Sequence, residues 1–473
     1  MSLVPDRLTA LDASFLYVET PATAMHTGSV MVFQPPSGGF DYARLLNLVA
    51  NRITYVPRYR QKIKEVPGRL SLPVWVPDSS FDVTYHVRRS ALPRPGTDEQ
   101  LQEFVSRVQA RPLDRRRPLW EVYLVEGLEH GRFAIVTKTH QALVDGVHAD
   151  DIAALILDDH PGPRDAPAPT WDAAHEPSDV DLVAQAVLGA LTSPTRLVET
   201  LRGGAGELQA TGSKILGGVG EVVSTLARSA TRPTMSGPLN VHTGSARRYV
   251  MVGTDLDDHR AVRAGLPGPT GAQDQVSVND VVLAVLTGAL RIWLLNRGEA
   301  VTRSTSVRAL VPVSVYHRDG AQAGNELMAC FVDLPVGEPN AAMRLHQIAF
   351  SMRRQMEGGQ AMGADALSGL AGFTSPTLHA LGSRLGSAVT RRLFNMVVTN
   401  VPGPQHELYV ADAPMLSTYP VMPVMGGQAL SVGLTSYDGG VYYGLNADRD
   451  AMPDLDVLGA GIVDALAELV GSL

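Results

Sequence analysis

The chain has 473 residues, 45% of them hydrophobic, enough to bury a substantial core and more than one ordinary domain requires. Asp and Glu number 48 against 40 Lys and Arg, a balance that argues against nucleic acid as a partner, whose affinity comes mainly from neutralised phosphates. Cys330 is the only cysteine, which excludes an intrachain disulfide and a cysteine-built zinc site and fits a reducing compartment.

From Met1 to Ala10 the chain lacks the charged start, apolar core and small-residue cleavage site of a secretory signal. No apolar run approaches the roughly 18 to 20 residues that span a bilayer. A cytoplasmic protein, soluble or peripheral at a membrane or lipid droplet, is expected.

Taken in order, Ser29 to Phe33 reads as a strand ended by Pro35-Pro36, and Tyr42 to Ile53 repeats Leu45, Leu46 and Val49 at helical spacing. Thr97 with Gln100 forms a capping-box pattern that opens a helix through Phe104 and Val108. Leu119 to Val125 and Phe133 to Thr139 read as two strands separated by Gly127 and Gly131. Pro161 to Pro177 has a linker composition, and beyond it 182–201 and 208–226 have helical spacing. The apolar stripe of 208–226 suits either a lipid surface or packing across the protein's own domains. A second αβ region follows, with a helix at 276–295, strands at 307–315 and 327–336, a helix at 341–356 and a strand at 394–399. A hairpin around Asp438-Gly439-Gly440 and a terminal helix from about Leu455 complete it. The division is 1–160, a linker and crossover region at 161–235, and 236–473.

The segment Thr139-His140-Gln141-Ala142-Leu143-Val144-Asp145-Gly146 places a histidine, an acid and a glycine where a strand gives way to a loop. Such junctions hold polar side chains rigidly at a sheet edge. A neutral imidazole suits removal of a hydroxyl proton near neutrality. Asp145 can orient a ring or anchor the loop, and Gly146 permits a tight turn or close approach of a ligand.

These residues, together with ordered words along nearly the whole chain, resemble the wax ester synthase/diacylglycerol acyltransferase family, a relative of the chloramphenicol acetyltransferase and condensation folds. The words are Leu8 to Asp12, Met25-His26-Thr27-Gly28, Pro118-Leu119-Trp120, Gly237-Pro238-Leu239-Asn240, Val278-Asn279-Asp280, Arg308 to Ser314, Thr399-Asn400-Val401-Pro402-Gly403-Pro404 and Tyr419-Pro420. The resemblance implies an α/β (mixed α+β) fold of two chloramphenicol acetyltransferase-like subdomains with mixed sheets, helices on their flanks and a tunnel between them. It further implies direct transfer of a long-chain acyl group from acyl-CoA to diacylglycerol or a long-chain alcohol, with no acyl-enzyme and no cofactor beyond acyl-CoA as co-substrate. The absence of a GxSxG elbow agrees with this.

The family hallmark is HHxxxDG, and its base is the second histidine, four places before the aspartate. That place holds Gln141, so the segment reads HQxxxDG and His140 matches the first histidine. A glutamine amide can bind and position a hydroxyl but cannot take its proton near neutrality. Three readings follow: His140 re-aimed as base by a twisted strand end, His148 approaching from beyond Asp145, or a weakened or inactive member that binds lipid as a scaffold. Trp120, Asn279, Asp280 and Asn400 are further substrate-site candidates. Each has a plain structural alternative, as core packing for Trp120, helix capping for Asn279 and Asp280, and a turn for Asn400.

Overall fold

The computed structural model describes residues 6–144, 152–162, 176–184, 237–266, 276–317, 324–357, 362–363 and 393–473. Its first stretch contains α1 (Ala10–Val18), β1 (His26–Phe33), α2 (Tyr42–Arg52), β2 (Gln61–Lys64), β3 (Val74–Pro77), α3 (Val83–His86), β4 (Val87–Ala91), α4 (Asp98–Gln109), β5 (Trp120–Glu126) and β6 (Phe133–His140). Next come α5 (Ile152–Ile156), β7 (Arg247–Asp255), α6 (Leu256–Gly265), α7 (Val278–Asn296), β8 (Val307–His317), β9 (Gly324–Leu334) and α8 (Ala341–Glu357). The chain closes with β10 (Met362–Gly363), β11 (Met396–Pro402), β12 (Tyr409–Val410), β13 (Ala413–Val421), β14 (Leu430–Tyr437), β15 (Gly440–Asp448) and α9 (Leu455–Val470).

Local chemistry explains many of these boundaries. At the start of α4, Thr97 Oγ1 accepts from Gln100 N while Gln100 Oε1 accepts from Thr97 N, so two orphan donors of the first turn are satisfied reciprocally. Ser277 and Asp280 do the same for α7. Asp438 and Gly439 both take positive φ, 41° and 79°, which makes the two-residue turn between β14 and β15 follow the twist of its strands. The expected helix at 208–226 and most of that at 182–201 lie outside the described residues.

Two mixed sheets organise the molecule. The first runs β12-β13-β1-β6-β5-β4 and the second β10-β9-β8-β11-β14-β15-β7. One face of the first sheet packs Met31, Trp120, Val122 and Ile135 against Leu45 and Val49 of α2, while the other sets Val30 and Val136 against Leu101 and Val105 of α4. The second sheet packs on α7, α8 and α9 through residues such as Val285, Trp293, Leu345 and Ile462. Among the described residues α7 is the one helix long and apolar enough to cross a membrane, contrary to the expectation that no run approaches that length; most of it is buried in this core.

β13 joins the halves. It comes late in the chain but pairs antiparallel with β1, with Gly28 opposite Val421 and Val30 opposite Tyr419. Pro420 also lies on the second sheet, over Gly433 and Gly444, which face each other across β14 and β15. A Cβ on Gly444 would stand 1.8 Å from Pro420 O, and one on Gly433 2.8 Å from the Pro420 ring, so the backbone of this crossover excludes a side chain at the first and its ring at the second. Tyr249 Oη of β7 donates to Pro420 O at 2.9 Å and completes the seam.

Candidate active site

β6 stays buried along its whole length and carries His140, the first residue of the hallmark, to the seam. Its first seam-side neighbour is Thr27 of β1, registered opposite Thr139, whose Oγ1 donates to Val421 O at 3.3 Å. Successive side chains of a strand point to opposite faces, so His140 and Thr139 diverge. The His140 ring is fully buried. Its Nδ1 accepts from Ala142 N at 3.0 Å, and Leu143 N donates to His140 O at 2.8 Å, which closes the turn after the strand. Since Nδ1 accepts, the neutral ring carries its proton on Nε2, which lies 3.6 Å from Glu19 Oε1.

Glu19 follows α1 and anchors a buried polar cluster behind the hallmark. Its Oε2 takes a two-pronged contact from Arg115, Nε at 3.0 Å and Nη2 at 2.6 Å, and its Oε1 accepts from Met25 N at 3.1 Å. Burial opposes ionisation of this carboxyl, but the contacts with His140, His26 and Arg115 outweigh it and hold the group well below the usual carboxylate range. His26 Nε2 lies 3.3 Å from Glu19 Oε1 and 3.4 Å from Leu113 N. A ring protonated at Nε2 donates to the carboxylate, and one protonated at Nδ1 accepts from Leu113. Burial pushes the His26 pKa down to about 4 despite Glu19.

Lys138, on the same face of β6, is also buried, and desolvation pushes it down to about 8. Its Nζ donates to Val108 O at 2.8 Å and to Arg111 O, closing off the C-terminal end of α4. An apolar groove of about 170 Å³ opens beside the cluster, lined by Leu16, Tyr17, Ile63, Pro73 and Leu119 with Arg115 at its edge.

Gln141 is half-buried; its N donates to Met25 O at 2.8 Å, and its Oε1 has no hydrogen-bond partner among the described residues. Trp120 sits opposite Thr139 on β5, fully buried, with Nε1 donating to Tyr59 O at 2.8 Å and the ring stacked on His86 at 4.5 Å. Asn400 and Asn279 are brought together: Asn400 Nδ2 donates to Asn279 Oδ1 at 3.0 Å. Asp280 caps α7, with burial pushing its carboxyl up. Asp145, Gly146 and His148 lie outside the described residues. Sequence reasoning missed Glu19 and Arg115 altogether, which sit in segments with no periodic or motif signal. His26 was visible only as part of the word Met25-His26-Thr27-Gly28.

Two family models match the chain: the wax ester synthase/diacylglycerol acyltransferase catalytic domain over residues 8–282 and the WS/DGAT C-terminal domain over 323–470. The "Probable diacyglycerol O-acyltransferase tgs3" of Mycobacterium tuberculosis is 44% identical over 268 residues, 54% of this chain and 95% of that protein. The "Probable diacyglycerol O-acyltransferase tgs1" of the same species is 32% identical over 475 residues, covering 98% of this chain and 96% of that one. The solved wax ester synthase/diacylglycerol acyltransferase from Marinobacter aquaeolei VT8 is 29% identical with a TM-score of 0.68, covering 98% of both chains. The first condensation domain of the calcium-dependent antibiotic synthetase, 16% identical with a TM-score of 0.58 over 99% of this chain and 97% of its own, shares the fold.

Proposed function

Because the chain belongs to the wax ester synthase/diacylglycerol acyltransferase family, we propose that it is an acyl-CoA-dependent O-acyltransferase that moves a long-chain acyl group onto diacylglycerol or a long-chain alcohol. One observation carries this reading: His140 and Gln141 of the hallmark stand at the end of a buried strand, on the seam between the two sheets, and the amide oxygen of Gln141 at the base position has no hydrogen-bond partner among the described residues.

In this reading Gln141 Oε1 accepts a hydrogen bond from the acceptor hydroxyl and aims its oxygen at the thioester carbonyl. The new C–O bond forms, the C–S bond breaks, and the hydroxyl proton passes to the sulfur of the departing CoA, so the products are an ester and a thiol. His140 does not act as base: its ring faces Glu19, and it holds the turn that presents Gln141. The protein works at a peripheral lipid surface in the cytoplasm, where both substrates are present.

The test is release of CoA thiol from purified protein given a long-chain acyl-CoA with diacylglycerol or hexadecanol. Acceptor-dependent release with formation of triacylglycerol or wax ester is expected. A general base contributes about 10² to 10⁴ in rate, so Gln141→His should raise turnover by at least about 10². Binding of acyl-CoA without release, with or without acceptor, would leave a lipid-binding protein in place of the enzyme.

A further inference from the structure

The face of the first sheet that carries Trp120 also carries a row of hydroxyls near the seam. Thr27 and Ser29 stand on β1, Thr137 and Thr139 on β6. Three of the four are spent within the protein: Ser29 Oγ and Thr137 Oγ1 lie 3.0 Å apart, Ser29 N donates to Thr137 Oγ1 at 2.9 Å, and Thr27 Oγ1 reaches Val421 O. Thr139 is the exception. Its side chain is fully buried, and Oγ1 finds no hydrogen-bond partner among the described residues. A buried hydroxyl without a partner is costly, whereas valine would fill the same space without that penalty.

Thr139 is the penultimate residue of β6 and Gln141 opens the turn that follows it, its N still held to Met25 O of the neighbouring segment, so the two side chains stand two positions apart at the end of the strand. The amide oxygen of Gln141 is likewise buried and finds no hydrogen-bond partner among the described residues. One group can only accept, and the other can donate. Acyl transfer needs that pair: an acceptor for the hydroxyl of the incoming alcohol, and a donor for the thioester carbonyl oxygen as it becomes an oxyanion. Asn400, the alternative donor, already commits one N–H to Asn279.

We infer that Thr139 is a catalytic residue whose hydroxyl donates to the thioester carbonyl oxygen and to the oxyanion that forms from it. The inference rests on the acyltransferase reading for its substrate and on the unpartnered hydroxyl for its location. Donors held in place where charge develops typically contribute about 10² to 10³ in turnover.

Thr139→Val and Thr139→Ser test it in the full-length protein. The valine variant should fold with an unchanged or higher Tm, lose about 10² in kcat with little change in KM, and be rescued to within about tenfold by serine, which keeps the donor. Infrared spectra of bound acyl-CoA labelled at the carbonyl give a readout independent of turnover. The carbonyl stretch should be lowered in the wild type and the serine variant and return to its free value in the valine variant. A valine variant with wild-type turnover, or an unaltered carbonyl stretch, overturns the assignment. A wild type that releases no CoA, yet shows the lowered stretch and loses it with valine, sinks the transfer reading and the catalytic role with it, and leaves Thr139 as a donor to the bound carbonyl.

Discussion

Asn400 at the end of β11 donates its side-chain amide to Asn279 at the first turn of α7, 3.0 Å away and 121 positions distant in the chain. The bond ties a strand of the second sheet to the helix that fills its core. A neutral hydrogen bond of this kind contributes about 1 kcal/mol. Asn279→Ala and Asn400→Ala are each expected to lower unfolding stability by about that amount, and the double variant by less than the sum. Additive losses in urea unfolding would show that the two side chains act independently.

Glu19 sits behind the hallmark with its charge met by Arg115 and its other oxygen turned to Met25, His26 and His140. Glu19→Gln removes the charge and keeps the shape. Because Arg115 is 45% exposed and can turn to water, the expected loss is about 1 to 3 kcal/mol, at the low end for a broken buried pair. Turnover should fall as well, since the carboxylate steadies the ring that holds the turn after β6. Thermal unfolding and CoA release measured on the same preparation check both parts.

Acid should destabilise the protein before its ordinary carboxylates titrate. In the unfolded chain His26 binds a proton near pH 6.5, and in the folded chain only near 4. Between these values the unfolded state holds more protons, so stability falls as pH drops through the window, by about 3 kcal/mol for this depth of shift. The carboxyl of Glu19, also lowered, continues the loss below pH 4.5. Urea midpoints from pH 8 to 4 should show the first part of this slope, and His26→Gln should flatten it.

The seam predicts a steep contrast among glycines. Gly444→Ala drives a methyl to within 1.8 Å of Pro420 O and should cost several kcal/mol, about 3 or more, because backbone must move. Gly439→Ala meets no neighbour and pays only for its positive φ, about 1 kcal/mol. Equal effects on Tm would mean that β13 does not lie on the hairpin as described.

Much of the fold was legible because its signals are local. Thr97 and Gln100 announce α4 within four residues, Asp438 and Gly439 can turn a hairpin by themselves, and the short apolar, β-branched run of 133–139 after Gly131 describes a strand whatever surrounds it. The membership of β13 in the first sheet was not legible, since the pairing of Val30 with Tyr419 depends on how two distant segments meet. The same holds at the site. Gln141 declares itself by its place before Asp145, whereas Glu19 and Arg115 are ordinary surface residue types until folding puts them together behind β6.

The order of residues by itself determined the family, elements with strong local signals such as α2, α4, β6 and the β14–β15 hairpin, and the departure at the base position, because motifs and periodicity are written in neighbouring positions and need no third dimension. Only the tertiary structure decided which way the side chains of Thr139 and His140 turn at the end of β6. Consecutive residues of a strand face opposite sides, and what waits on each side, a carboxylate for His140 and, among the described residues, no hydrogen-bond partner for the hydroxyl of Thr139, is set by packing between segments far apart in the chain.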